Sequence, residues 1–408
     1  MIRCWRPAQA LGDIRNPSFV SFLDLARWSA AAIVFFGHLR DPLFFGYDSI
    51  AGHDRNIAVK LWYFVTGWDG AAVIVFFVLS GFLVGALGCA KASLGRFSVS
   101  DYAVDRLTRL FVAYWPALLL TVVLDGVGIA LLSQVGFWNH TQPMLLEKVH
   151  TAPFQAGDTP ALLLANALML QTFFTNVFGS NQPLWTISAE FWFYAVFGVV
   201  LTTTTISSLG WRAALLVVGA IMTVVLGMPF VALFGLWLIG VAAGLVSAKA
   251  LQRPLAATLL LLAVLVATRL RQDLFKNGAG LQVRDYAIAL SFAWLLVSMR
   301  SKRFRWLERL QKPNQVMASF SYSLYLIHFP LMLFIMGALY ATGSFRGIAT
   351  GYSPTSAQGL AVYAFVILAV YACAYAFAAL TERQTPRLRR RLKAAFRPAA
   401  ALGANVAP

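Results

Sequence analysis

Long apolar runs punctuated by short polar and basic segments dominate this sequence. Windows of about 20 apolar residues predict membrane-spanning helices at 19–39, 69–88, 108–134, 184–204, 212–228, 229–248, 254–268, 285–299, 316–340 and 357–380. A further stretch, PALLLANALMLQTFFTNVFG at 160–179, is interrupted by Asn166, Gln171 and Asn176 and nearly abuts the next run, so it reads as a re-entrant or surface helix. The expected fold class is therefore all-α, a polytopic membrane helix bundle of about ten transmembrane helices plus that re-entrant helix. It divides into an N-terminal segment (1–18), a membrane domain (19–380) and a basic tail (381–408).

Composition agrees: 59% of the 408 residues are hydrophobic, only 12% are charged, and the mean hydropathy is +0.70, unlike a soluble globular domain. A net charge of +17 invites a nucleic-acid reading, but its placement argues for topology. Lysine and arginine are retained on the cytoplasmic side of short loops. With ten spans and the amino terminus inside, most of the 33 Lys and Arg residues fall on that side, including the run around 300–312 and the tail TERQTPRLRRRLKAAFRP. Both termini are thus expected in the cytoplasm, with membrane lipid and not nucleic acid as the chain's surroundings. Residues 1–17 hold Arg3, Arg6, Asp13 and Arg15 rather than an apolar signal-peptide core, so the first helix reads as a retained anchor. Cys4, Cys89 and Cys373 have neither disulfide nor metal-ligand spacing. No internal repeat supports an inverted-repeat transporter. The longest external segments, 40–68 and 135–183, either shape a vestibule or connect helices.

Ionisable groups at bilayer depth cost roughly 2.5–3.5 kcal/mol and therefore pair, face the bundle interior or line a functional path. The first run, FLDLARWSAAAIVFFGHL, carries Asp24, Arg27 and His38. Eleven residues from Arg27 to His38 make three turns plus about 20°, with a rise of about 16 Å, so both lie on one face. Asp24 is one turn from Arg27 and pairs with it in the simplest reading, and His38 either acts or sits at the interface. Glu190, two turns into a helix bearing Trp185, Phe191, Trp192, Phe193 and Tyr194, is expected at the depth of His38, where it either orients the imidazole or bonds to backbone and tyrosine hydroxyls. His328 lies mid-depth in SFSYSLYLIHFPLMLF beside Tyr322 and Tyr325. Arg106 and Arg109 mark the cytoplasmic entrance of the third helix and suit phosphate groups, lipid headgroups or topology. Ser80 and Gly81 permit close helix approach or the passage of a ligand chain.

In order, R-x10-H in the first helix, FFVLSGFL (76–83), R-x-x-R (106–109) before YWP, LWTISAEFWFY (184–194) and SYSLYLIHFPL (321–331) resemble the acyltransferase 3 family over about residues 18–392. These are multi-spanning, acyl-CoA-dependent enzymes that O-acylate envelope glycans. The resemblance implies that Arg27 and His38 match an essential pair and that Glu190 stands at an acidic position of the middle motif. That motif more often reads WSLSVEEQFY; Ala189 and Phe191 replace the flanking residues, so a second carboxylate has no counterpart here. Some members carry an extra hydrolase-like domain; here transfer is expected to be completed by the membrane part alone or passed to a separate partner.

The resulting expectation is transfer of an acyl group, acetyl first, from cytoplasmic acyl-CoA to a hydroxyl of a glycan or lipid-linked sugar. Acyl-CoA enters as co-substrate, and neither a tightly bound cofactor nor a metal is expected. His38, Glu190 and Arg27 are the candidate catalytic residues, with His38 as base or acyl carrier. Arg106, Arg109 and Ser80 are the candidate donor-binding residues, and Trp185, Tyr194, Tyr325 and His328 the candidate substrate-binding side chains. Trp68 and Trp138 are further aromatic candidates at the external acceptor side. A transporter or flippase, a non-catalytic scaffold and succinyl transfer are the alternatives.

Overall fold

A computed structural model describes residues 12–146, 159–246, 251–275 and 278–395. The extreme termini, 147–158 of the long external segment and the end of the 229–248 run lie outside the described residues. Among the described residues there is no strand, only the isolated bridges Phe44–Tyr352 and Gln171–Thr175.

Helix α1 (Pro17–Leu43) starts where its sequence directs. Pro17 needs no hydrogen-bond acceptor at the first position, and the Asn16 side chain accepts from the Ser18 N–H at 3.1 Å. Asn16 also donates to the carbonyls of Arg300 and Lys302, and Arg300, 3% exposed, pairs with Asp13. Short helix α2 (Ile57–Val65) leads to α3 (Asp69–Ser80), which widens through a π-type turn at Gly81–Ala86 and ends as α4 (Leu87–Ser93). At 33 residues, α5 (Val99–Leu131) is about 50 Å long, well beyond a hydrocarbon core of about 30 Å. Its charged first turns therefore project past the apolar layer.

The stretch at 160–179 does not form a spanning helix. Helix α6 stops after Pro160–Ala167, and left-handed residues at Met169 and Thr172 turn the chain. Non-helical backbone inside a bundle must be satisfied by protein. Here Tyr114 donates to Asn166 O, Trp115 to Ala167 O, and Trp192 and Ser188 to Met169 O. The expected re-entrant segment is thus a short helix and a tethered turn leading into α7 (Trp185–Thr202).

Helix α8 (Leu209–Leu245) is broken at Gly227, φ 78°, just before Pro229, which is where two runs were predicted to meet. It is followed by α9 (Pro254–Leu270) and α10 (Gly278–Met299). The predicted 316–340 run divides near Phe320 into α11 (Gln311–Ala318) and α12 (Ser321–Ala341), and α13 (Ala357–Leu380) precedes a helical tail, α14 (Thr385–Ala395). Seven helices among the described residues are long and apolar enough to cross a membrane, and Pro254–Leu270 is apolar but shorter.

The bundle has an inside and an outside. In the most apolar windows of Ile57–Ser93, Gln182–Thr205 and Ser321–Ala341, 61% of positions are buried, against 17% for Leu209–Leu245 and 28% for the last span. The former build the centre, and α8 and α13 show leucine and phenylalanine to their surroundings. The π-type turn meets α8 almost backbone to backbone: a Cβ on Gly81 would stand 1.9 Å from Trp237 O, and one on Gly240 2.0 Å from Val78 O. Gly81 therefore serves close helix approach. One face gathers the chain before α1, the end of α4, the start of α5 and α14. At the opposite face the loops after α1, α5 and α12 join, through Phe45 N–H to Tyr352 O and Gln142 to Pro42 O and Ile348 O.

Candidate active site

A cavity of about 330 Å³ lies between α1, α3, α5, α7 and α12. Apolar walls from Val73, Phe76, Leu79, Leu83 and Val84 surround a polar set of Arg27, Arg106, Arg109, Arg389, Glu190, Ser80, Thr186, Tyr194, Tyr322 and Tyr325. Several of these cations are answered. Arg27 stands 3.6 Å from Asp24, Arg109 is 2.6 Å from Glu382, and Arg389 is 3.3 Å from Asp105. Glu382 is further held by the Ser323 N–H and hydroxyl, and the Arg109 guanidinium lies 4.6 Å over the Tyr322 ring. Arg106 differs: its guanidinium lies 5.7 Å over the Tyr194 ring and its buried Nε has no hydrogen-bond partner. A buried donor without an acceptor is costly, and an anion in the cavity would relieve it.

Glu190 ends a directed chain of hydrogen bonds. A carboxylate only accepts, so the Tyr194 hydroxyl donates to Glu190 Oε1 at 2.5 Å. The Tyr194 oxygen then accepts from Ser80 Oγ at 3.0 Å, and Ser80 accepts from Trp237 Nε1–H at 3.1 Å.

His38, at the other end of α1, does not line this cavity. Its Nδ1 lies 2.9 Å from Nε2 of His328, with rings only 15° from coplanar and centroids 5.2 Å apart, the geometry of an in-plane hydrogen bond. Nδ1 of His328 faces the carbonyls of Tyr325 at 2.8 Å and Leu324 at 3.2 Å. Carbonyls only accept, so that nitrogen carries the proton, and in a neutral ring Nε2 keeps its lone pair. His38 must then donate from Nδ1, which leaves its own Nε2 unprotonated. His328 is fully buried, Phe35 packs edge-on against it, and Phe329 does the same to His38. Tyr325, one turn before His328, donates to or accepts from Thr186 at 2.8 Å, and these hydroxyls form the end of the cavity towards the histidines.

Arg27, Arg106, Arg109, Ser80, Glu190, Tyr194 and Tyr325, all singled out from sequence, line one cavity. Others move. Of the two readings of Glu190, the structure shows the second: its carboxylate sits on the Tyr194 hydroxyl beside the arginines rather than on His38, and His328, a candidate for substrate binding, holds His38. Trp185 lies outside the cavity lining with its ring 6.2 Å from Phe77. Trp138, expected at the acceptor side, is fully buried and donates to Asp125 at 2.9 Å, a core contact. Sequence reasoning missed Thr186, Trp237, Glu382 and Arg389. The last had a legible signal: Arg389 and Lys393 are spaced i, i+4 on α14, as are their partners Asp101 and Asp105 on α5.

Comparison with known proteins adds an independent line. A family described as Acyltransferase domain matches residues 20–379. The acyltransferase MdmB of Streptomyces mycarofaciens is 29% identical over 184 residues, covering 45% of this chain and 38% of that protein's length. No solved structure matches.

Proposed function

We propose, for a chain that belongs to the acyltransferase 3 family over residues 20–379, that it transfers an acyl group, acetyl in the first instance, from cytoplasmic acyl-CoA to a hydroxyl of an envelope glycan or lipid-linked sugar. The observation that carries the reading is the His38–His328 pair, which leaves a bare imidazole nitrogen on the same helix that presents Arg27 to a cationic cavity. His38 Nε2 takes the proton of the acceptor hydroxyl as its oxygen attacks the thioester carbonyl carbon. The new C–O bond forms, the C–S bond breaks, and the imidazolium returns its proton to the departing thiolate. A thioester is already activated, so the residues need only orient it, remove one proton and return it.

The donor occupies the arginine-lined cavity with its acyl end towards Tyr325 and Thr186, and the acceptor approaches from the opposite face. Glu190, fixed by Tyr194 and Ser80, balances the arginines rather than the histidine. The membrane is the bacterial inner membrane with both termini cytoplasmic. Support comes from the described ends of the chain, which meet at one basic face. Ten crossings follow when α8 counts as two and α9 and α10 as one each.

Membranes with and without the protein, given CoA labelled in its acetyl group, test the reading. Alkali-labile label in envelope glycans is expected only with the protein. Movement of a sugar across the membrane with no new ester bond would replace this reading with the transporter one.

A further inference from the structure

Beside the inner cavity lies a second, of about 530 Å³, lined by residues before α1, at the end of α4 and at the start of α5. The two share Leu83, Val84 and Arg106. The second is a basic groove: Arg15, Lys91, Arg96 and Arg106 line it, and among the described residues none of the four has a carboxylate at ion-pair distance. Its acids, Asp101 and Asp105, are already occupied. Lys393 of α14 stands 2.8 Å from Asp105 and 3.4 Å from Asp101, and Arg389 lies 3.3 Å from Asp105. The tail helix thus cancels the groove's negative charge and leaves its positive charge free. Phe97 and Tyr102, rings 5.6 Å apart and inclined at 51° to each other, add an angled aromatic wall, and Arg106 offers its unpartnered Nε at the junction.

We propose that this groove binds the phosphorylated nucleotide head of the acyl donor, while the uncharged arm passes the Leu83–Val84 neck into the inner cavity. The proposal rests on the acyl-CoA reading above. It assigns Arg15, Lys91 and Arg96 to the head's phosphates, the aromatic wall to its base, and to α14 the task of neutralising Asp101 and Asp105. A ligand with a polyanionic head and a thin polar arm fits two adjoining cavities of this kind. Lipid phosphate shares the head's charge but brings aliphatic chains, whereas the inner cavity sets four arginines, a glutamate and six hydroxyls among its apolar walls.

The test uses the full chain in phosphatidylcholine nanodiscs, with adenosine 3′,5′-bisphosphate as head-only probe and acetyl-CoA and S-acetylpantetheine as donors with and without the head. Wild type is expected to bind the probe. Lys91→Ala/Arg96→Ala should weaken probe binding roughly tenfold or more, because charge-assisted contacts to the phosphates are lost, and should narrow the preference for acetyl-CoA over S-acetylpantetheine. Lys91→Arg/Arg96→Lys should restore both, which separates charge from misfolding. If wild type uses acetyl-CoA but the alanine pair binds the probe as tightly as wild type, the groove assignment falls and the donor reading stands. If wild type uses neither donor, both fall. If phosphatidylglycerol added to the nanodiscs displaces the probe from wild type at low mole fraction, the groove is a lipid site and the proposal is overturned.

Discussion

The two ends of α1 place polar groups in the same apolar helix, about 16 Å apart, yet treat them differently. Around Arg27 the protein collects further charges: Asp24 on the same helix, Arg106, Arg109 and Glu190 across the cavity, and Arg389 from the tail. Around His38 the immediate contacts are an imidazole and aromatic edges, with the charges of Arg40, Asp41 and Asp69 next in range. On the reading proposed above, the guanidinium groups around the cavity hold the donor, whereas a neutral imidazole with a fixed proton is arranged to receive one from the acceptor. On that reading the helix separates donor binding from proton transfer, and the Tyr325–Thr186 contact lies between the two groups.

The largest effect expected from breaking this contrast is at the histidine end. His38→Ala should lower transfer roughly a thousandfold, within the usual range for loss of a general base, as read by label incorporation at matched protein amounts. His328→Ala should cost roughly a hundredfold in kcat with little change in donor KM, because it releases the tautomer of His38 rather than the donor. His328→Gln, which keeps an acceptor oxygen, should recover part of that loss. In wild type the rate should fall as pH is lowered, because a proton taken up by the pair occupies the nitrogen that the acceptor hydroxyl needs. Away from both ends, Gly240→Ala places a Cβ against Val78 O and should destabilise the bundle by about 1–3 kcal/mol, measured by thermal melting in detergent. At the arginine end, Arg106→Ala should raise donor KM about tenfold with kcat nearly unchanged. Asp24→Asn should do least, about 0.5 kcal/mol in stability and less than threefold in rate, since its 3.6 Å pair with Arg27 is partly open.

The cavity's composition was largely legible in the sequence because intramembrane charge is rare: Arg27, Arg109 and Glu190 stand out against apolar neighbours, and helical periodicity turns each towards the interior. The partnering was not legible. Glu190 and His328 are both polar groups on central helices, and only packing decides which reaches His38; α12 brings His328 within 2.9 Å, and the Tyr194 hydroxyl takes Glu190. Trp138 misled for a related reason, since an indole near a loop serves an interface or a core equally well until a buried partner such as Asp125 appears. The tail's basic residues read as topology, and their pairing with Asp101 and Asp105 beside Arg106 depends on how α14 docks on α5. The break in α8 was foreseeable, because glycine followed shortly by proline interrupts a helix wherever it falls.

The central claim is that His328 fixes the proton of His38 on Nδ1 and leaves Nε2 bare. Nitrogen-15 NMR of histidine-labelled full-length protein in nanodiscs, with the His38 signals identified by their loss in His38→Ala, tests it directly. At neutral pH the account predicts a protonated, hydrogen-bonded Nδ1 and an unprotonated Nε2 for His38. A His38 that carries its proton on Nε2 would contradict it.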